Sequence, residues 1–586
     1  MKMTLASILG LLIFSVISIF LMFAVFGAMA SMGDKQPVMP REAVLTIDMS
    51  SFTLSEQSAE ADPLAMLTGS GSASTIGIYN AVNAINAAAQ DPAVKFIYMT
   101  PDPASGGLAQ IEEFRKALSN FRASGKAIVS YIENPTNAGY YLASVSDKIY
   151  MTSLDGGMSM FNGISSQMIF LKDILDRLGV NVQLIRHGKY KSAGEMYVRS
   201  SSSKENLEQN TAMVNSMWDS WATEIAASRE ITTDQLDALL NNLELNFPSD
   251  WLEHGLVDEL YTREQLDQQL CDLFVADDIK DVKTISLTDY ATLKNTVNYK
   301  AKEKVAVIYA EGNIVDGNAN QQVSGDRFAQ IISDVRKDTT VKAVVLRVNS
   351  PGGSVLASEK IKAELDLLQE RVPVIASYGD YAASGGYWIS AGCDKIYSDA
   401  TTLTGSIGVF SMIPDVGGTI KDKLHVTITP VNSNAHADMY NGLRALDTRE
   451  VAYMQASVEK IYSKFTEIVS EGREIPVARV DEIAQGRVWT GAEALEIGLV
   501  DEIGTLEDAI KYAALCIEGV TGVNDVQIAS YPKPQTTIEM LMESFGASAG
   551  VLAGTPLESV EKAFKDVSAT ETGKAYARLP YEISFR

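Results

Sequence analysis

The apolar positions of this chain fall into short runs rich in β-branched residues, separated by longer stretches with helical spacing. Ala43-Val-Leu-Thr-Ile47, Phe96-Ile-Tyr-Met99 and Ala127-Ile-Val-Ser130 make one series. Val305-Ala-Val-Ile-Tyr309, Ala343-Val-Val-Leu346 and Val374-Ile-Ala-Ser377 make a second. Such runs predict strands, and strands alternating with helices predict an α/β fold with mainly parallel pairing. In each series the second run leads to a glycine pair, Gly106-Gly107 and Gly352-Gly353.

The two series are copies of one unit. Residues 127–151 align with 374–398 at a constant offset of 247, and nine positions are identical. These include Ser130/Ser377, Tyr131/Tyr378 and Asp147-Lys-Ile-Tyr150 against Asp394-Lys-Ile-Tyr397. Asp91-Pro-Ala-Val-Lys95 matches Asp338-Thr-Thr-Val-Lys342, and Gly255-Leu-Val-Asp-Glu259 matches Gly498-Leu-Val-Asp-Glu502. Three matches in one order exceed what chance supplies, and they place the copies at about 41–275 and 300–525. Residues 530–586 form a tail with some helical periodicity, to which the sequence assigns no chemistry.

Ahead of the first copy the pattern changes. No residue between Lys2 and Asp34 is charged, and Leu5 to Ala30 is almost wholly apolar. A membrane-spanning helix needs about 20 apolar residues, whereas the core of a cleaved signal peptide has roughly 7–15. The length predicts an uncleaved transmembrane anchor over residues 1–34, with cleavage after the small residues Ala28-Met-Ala30 as the alternative. A single span with a very short leading tail puts nearly the whole chain on one side, and a signal-like start favours export of that bulk.

Composition narrows the function. Hydrophobic residues make up 46% and charged residues 21% of the 586, an ordinary globular balance with room for several domains. The net charge of −25 argues against a nucleic-acid-binding protein, which needs a basic face for phosphates. Cys271, Cys393 and Cys516 are too scattered for a disulfide framework or a metal knuckle, and His187, His254, His425 and His436 too scattered for a zinc site. Neither a metal nor an organic cofactor is expected.

Two motifs of the second copy carry candidate chemistry. Asn349-Ser-Pro-Gly-Gly-Ser354 directly follows an apolar run. Glycines there let the backbone approach a ligand closely, and the N–H of Gly353 can stabilise an oxyanion. Asp380-Tyr-Ala-Ala-Ser384-Gly-Gly-Tyr-Trp388 follows the next run. A serine at a helix start is well placed as a nucleophile, with the N–H of Gly385 facing the same reacting atom. Taken alone, Ser384 reads more readily as an N-cap, and the glycine pair as a plain turn.

Together the two motifs resemble the clan of ClpP-like and crotonase-like proteins. With the anchor and the duplication, residues 40–525 resemble the long form of the bacterial signal peptide peptidase A family. The resemblance implies tandem ClpP/crotonase-like domains and a Ser–Lys dyad in place of a histidine base. It places the lysine in a Tyr-Lys-Ser-Ala motif of the first copy, which here is Tyr190-Lys-Ser-Ala193. Lys191 is then the base and Ser384 the nucleophile, Gly353 and Gly385 form the oxyanion hole, and Ser192 is a candidate to orient the amine. Lys191 must be buried, because desolvation is what lowers a lysine's pKa towards neutrality. The family further implies remnant signal peptides as substrates, a homo-oligomer (a homotetramer), and the bacterial inner membrane with the catalytic part in the periplasm.

Each copy holds one half of this site. The first has Asn137 where the second has Ser384, and the second has no lysine from Asn432 to Asn441, the rough counterpart of the Lys191 region. Whether the halves meet within one chain or between neighbours is open at this level. Ser406-Ile-Gly-Val-Phe410 is a candidate pocket lining or, equally, a core strand. The rival functions are a crotonase-like acyl-CoA enzyme and a catalytically silent membrane scaffold. A rival base within the peptidase reading is His187 or His436.

Overall fold

The computed structural model describes residues 37–58, 74–295, 297–320, 322–533 and 575–579. The predicted anchor, residues 1–34, lies outside them. Among the described residues no helix is long and apolar enough to cross a membrane.

Each copy is built on a parallel sheet. In the first, the strands stand in the order Glu259–Tyr261, Lys148–Thr152, Ile128–Ile132, Val94–Thr100, Ala43–Asp48, Thr284–Ser286. In the second, the same order recurs as Glu502–Ile503, Lys395–Ser398, Val374–Ala383, Val341–Ser350, Lys304–Glu311, Gln527–Tyr531. The predicted strand runs all lie in these sheets. The last strand of each sheet, Thr284–Ser286 or Gln527–Tyr531, falls beyond the residues that the periodicity assigned to its copy. These strands are short, and their register comes from a neighbour rather than from their own pattern.

Parallel neighbours need crossover connections, and helices supply them here, several with one apolar face turned to the sheet. Gly325–Lys337 shows the rule: it buries Phe328, Ile332 and Val335, at spacings of four and three residues. The duplication extends to two helices of 26 residues, Lys204–Arg229 and Thr448–Arg473. Ser203 and Asp447 cap their N-termini with side-chain oxygens, and each helix ends at a glutamate, Glu230 or Glu474, in the left-handed conformation.

The copies differ where the site lies. Val341–Ser350 and Val374–Ala383 are each 10 residues long, against 7 and 5 for their counterparts Val94–Thr100 and Ile128–Ile132. The overhang pairs Tyr381, Ala382 and Ala383 with the strand Leu403–Gly405 and delivers the chain to Ser384.

A third sheet joins the copies. Its order is Val323–Ser324, Ile314–Val315, Gly352–Ser354, Tyr576–Arg578, Val409–Asp415, Asn181–His187. Asn181–His187 comes from the first copy and runs antiparallel to Val409–Asp415 of the second, from His187↔Val409 to Asn181↔Asp415. Tyr576–Arg578 comes from the tail, so that part of the tail has a structural place which helical periodicity did not foretell.

The copies also share buried polar contacts. Arg347 is fully buried and forms ion pairs with Glu56 (2.6 Å) and Glu113 (2.8 Å) of the first copy. Its guanidinium also donates to Ser377 Oγ and to the Tyr378 carbonyl. Asp380 accepts from the N–H of Ala109 at 2.9 Å, at the start of the helix Leu108–Ala123. A Cβ on Gly107 would fall on the Asp380 carboxylate, so this glycine makes room for the docking of the two copies.

Candidate active site

Ser384 sits between the strand Val374–Ala383 and the helix Gly385–Ser390. Its backbone has φ 55° and ψ −110°, and its side chain makes no capping bond. The N-cap reading of this serine therefore fails. A non-glycine residue held in such a region costs on the order of 1–3 kcal/mol, and the surroundings must over-determine it. They do: Ser384 N–H donates to Gly405 O, and Trp388 N–H donates to Ser384 O, both at 2.8 Å. Ser384 is fully buried.

The glycines around it are required by close approach. A Cβ on Gly386 would lie 2.8 Å from Ser350 O, and one on Gly385 would lie 2.9 Å from Ser358 Oγ and 3.1 Å from Gly353 N. Gly352 has φ 97°, and a Cβ on it would lie 2.6 Å from Gly385 N. The backbones of Gly353 and Gly385 thus flank one recess beside Ser384.

Lys191 reaches the same point from the first copy. Asn181–His187 is held in the inter-copy sheet, the chain turns at Gly188 (φ 99°), and Tyr190 N–H donates to Gln485 O at 2.9 Å. The stem of Lys191 then lies against Gly486 and Gly408, where any Cβ would collide with it or press on it. Lys191 Nζ lies 2.7 Å from Ser384 Oγ, 2.9 Å from Ser406 O and 3.0 Å from Ser406 Oγ. Lys191 is fully buried, and among the described residues it forms no ion pair with a carboxylate. Burial alone pushes its pKa well below the ordinary lysine value. Nζ donates to Ser384 Oγ, Ser406 O and Ser406 Oγ in this arrangement, and loss of one proton would leave a lone pair facing the Ser384 hydroxyl.

The structure thus brings Lys191 and Ser384 into contact within one chain, beside Gly353 and Gly385. Ser192 does not orient the amine: its hydroxyl accepts from Gln209 Nε2 at 2.9 Å. Ser406 takes that place, itself at φ 48°. The sequence marked Ser406 only as the start of a pocket lining; its signal was a polar residue directly after a glycine at a strand end. Lys189 is exposed, with its ammonium over the Tyr190 ring. His187 bonds Glu459 and stacks on Tyr462, and His436 bonds Glu450, so both imidazoles are engaged elsewhere. At the Ser384 position of the first copy, the Asn137 side chain accepts from Asn162 and Gly163 N–H and donates to Gly163 O, all at 3.0 Å. It stitches a loop and carries no nucleophile.

Similarity to known proteins agrees with this geometry. The model of peptidase family S49 matches residues 120–274 and 366–518. The chain is 34% identical to Protease 4 of Haemophilus influenzae over 500 residues, covering 83% of this chain and 80% of that protein. It is 34% identical to Protease 4 of Salmonella typhi over 509 residues, covering 85% and 80%. With the chloroplastic serine protease SPPA of Arabidopsis thaliana it shares 29% identity over 469 residues, covering 79% and 68%.

Proposed function

The chain belongs to peptidase family S49 and is a serine peptidase, and on that premise we propose that it works through a Ser384–Lys191 dyad on remnant signal peptides at a membrane. The observation that carries this reading is the 2.7 Å contact between Lys191 Nζ and Ser384 Oγ in a buried setting. A serine hydroxyl is a weak nucleophile until a base takes its proton, and a desolvated lysine is neutral enough to do so.

The chemistry follows from the contacts. Ser384 Oγ attacks the peptide carbonyl as its proton passes to Lys191 Nζ. The N–H groups of Gly353 and Gly385 hold the oxyanion; losing one such donor costs on the order of 2.7–4 kcal/mol. The ammonium, steadied by Ser406 O and Oγ, protonates the departing amine. Water then takes the same route in reverse and releases the acyl group from Ser384.

The substrate class and the setting rest on family resemblance and on the apolar run of residues 1–34. This reading includes a single-pass anchor in the bacterial inner membrane, the catalytic part in the periplasm, and a homo-oligomer. An acyl-CoA enzyme or a silent scaffold has no use for a buried lysine on a strained serine. A fluorophosphonate probe tests the reading. Labelling should fall on Ser384 and be lost in Lys191→Met. Labelling that persisted at full rate in Lys191→Met would remove the lysine from the mechanism.

A further inference from the structure

Two carboxyl groups meet in the buried contact between the copies. Glu113 comes from the helix Leu108–Ala123 of the first copy, and Asp399 follows the strand Lys395–Ser398 of the second. They are 1% and 4% exposed and lie within hydrogen-bonding reach of each other. Among the described residues neither Glu113 Oε1 nor Asp399 Oδ2 has a hydrogen-bond donor. Arg347 does not supply one. Its Nη1 stands 2.8 Å from Glu113 Oε1, but the hydrogens of that nitrogen go to Ser377 Oγ and the Tyr378 carbonyl. Buried carboxylate oxygens without donors are costly, and two carboxylates in contact are costlier still. One proton held between the groups removes both faults, since a protonated carboxyl donates and an ionised one accepts.

The surrounding charges leave no place for a further anion. Arg347 is the cation facing the pair, and Glu56 already opposes it, with Oε2 at 2.6 Å from Arg347 Nε. Glu56 is satisfied as a carboxylate, since Gln110 Nε2 and Asn349 Nδ2 also donate to it. Glu112 faces Asp399 and accepts from Trp221 Nε1 and Thr401 N–H. Tyr309, on the strand Lys304–Glu311, faces Glu113, and Leu506 N–H donates to Glu113 Oε2 at 3.2 Å. Behind Glu56 stand the carboxyls of Asp380 and Glu311; behind Glu112 stands Glu224, paired with Arg115. Burial is the chief cause that holds Glu113 and Asp399 above the usual carboxylate range, and Arg347 opposes it at both.

From Asp399 the chain runs directly to the partners of the amine. Thr402 N–H donates to Asp399 O at 3.3 Å, and the hydroxyls of Thr402 and Thr404 donate to Gly379 O and Ala382 O, both at 2.7 Å. The strand Leu403–Gly405 pairs with Tyr381–Ala383, Gly405 O accepts from Ser384 N–H, and Ser406 holds Lys191 Nζ. We propose that Glu113 and Asp399 share one proton and act as a positioning pair, which fastens the segment Asp399–Ser406 to the first copy and so aims Ser406 and Lys191 at Ser384. The proposal rests on the Ser384–Lys191 reading and adds its regulation by pH. The pair titrates as one unit. When its proton leaves, two buried carboxylates repel, the segment loosens, and the amine loses the partners that aim it. Activity then has an upper limit in pH as well as a lower one: the ascending limb belongs to Lys191 and the descending limb to the acid pair.

The test is a pH–rate profile of the full purified chain on a fluorogenic peptide, with difference infrared spectra over the same pH range. The profile should be bell-shaped, and the C=O band of a protonated carboxyl should fade across the descending limb. In Asp399→Asn the amide keeps beside Glu113 a donor that pH cannot remove. The descending limb should move to higher pH or vanish, that band should be missing, and the ascending limb should stay in place. Glu113→Gln should do the same from the other side of the contact. Asp399→Leu breaks the tie, so kcat should fall severalfold with little change in KM. A profile without a descending limb, or a limb that stays in place in both amide variants, overturns the proposal. So does a carboxyl band that persists in both. A purely structural role would lower the melting temperature and leave both limbs where they are. Failure of the dyad reading is distinct: Lys191→Ala would then still hydrolyse the peptide with the same ascending limb.

Discussion

Lys191 and Ser384, 193 residues apart and from different copies of a duplicated unit, meet at 2.7 Å inside one chain. The contact exists because Asn181–His187 leaves its own copy and pairs with Val409–Asp415 of the other. The site is therefore a product of the interface between the copies, and its behaviour can be predicted from that interface.

Removing either member of the pair should abolish peptide hydrolysis while the fold stays intact. Ser384→Ala and Lys191→Ala should both be inactive with unchanged circular dichroism, whereas Lys189→Ala and His436→Ala should keep most of their turnover. An active Lys191→Ala enzyme would return the base to another group.

Ser406 should matter for rate more than for binding. Ser406→Ala removes one of two acceptors that hold the amine, a hydrogen bond worth about 1 kcal/mol, which is roughly fivefold in kcat. KM should change little, and the ascending limb of the pH–rate profile, which reports the base, should move. Ser406→Gly relaxes the positive φ and serves as the backbone control. An equal loss in kcat and no shift of the limb in either variant would point to a packing role alone.

The pH dependence follows from a lysine whose folded pKa is depressed by burial. Activity (kcat/KM) should rise with pH as Lys191 loses its proton. For stability, the unfolded chain binds this proton up to about pH 10.4 while the folded chain releases it earlier. The unfolded state thus holds more protons between the two values, and stability rises with pH through that window. Below the folded pKa the full burial cost is present; above the unfolded pKa it is gone. Lys191→Met should be inactive and equally or more stable near neutral pH, read from paired melting curves. A clearly destabilised Met variant would mean that the lysine is held as a cation.

The buried Arg347 should be the chief polar tie between the copies. Arg347→Met leaves Glu56 and Glu113 buried without their cation, and breaking such a pair costs about 3–5 kcal/mol. Denaturant titration reads this directly. Glu56→Gln, which keeps the shape and removes one charge, should lose less. Two losses within a few tenths of a kcal/mol of zero would show that the cluster adds nothing to stability.

Much of this protein was legible in its residues. The repeated Asp-Lys-Ile-Tyr and Gly-Leu-Val-Asp-Glu segments revealed the duplication, because each marks the same parallel strand in both sheets. Short β-branched runs located those strands because a pleated, buried layer favours them. The glycines at 352, 353, 385 and 386 pointed to close backbone approach, which is a local requirement and so leaves a local trace. The lysine was found through a family motif; its own neighbours mark it no more than those of Lys189. What selects Lys191 is burial against Gly408 and Gly486, residues more than 200 positions away. The roles of Ser406 and Arg347 and the strand at Tyr576–Arg578 were decided by tertiary structure for the same reason. Each depends on groups brought from distant parts of the chain, and neither periodicity nor composition records which distant groups will meet.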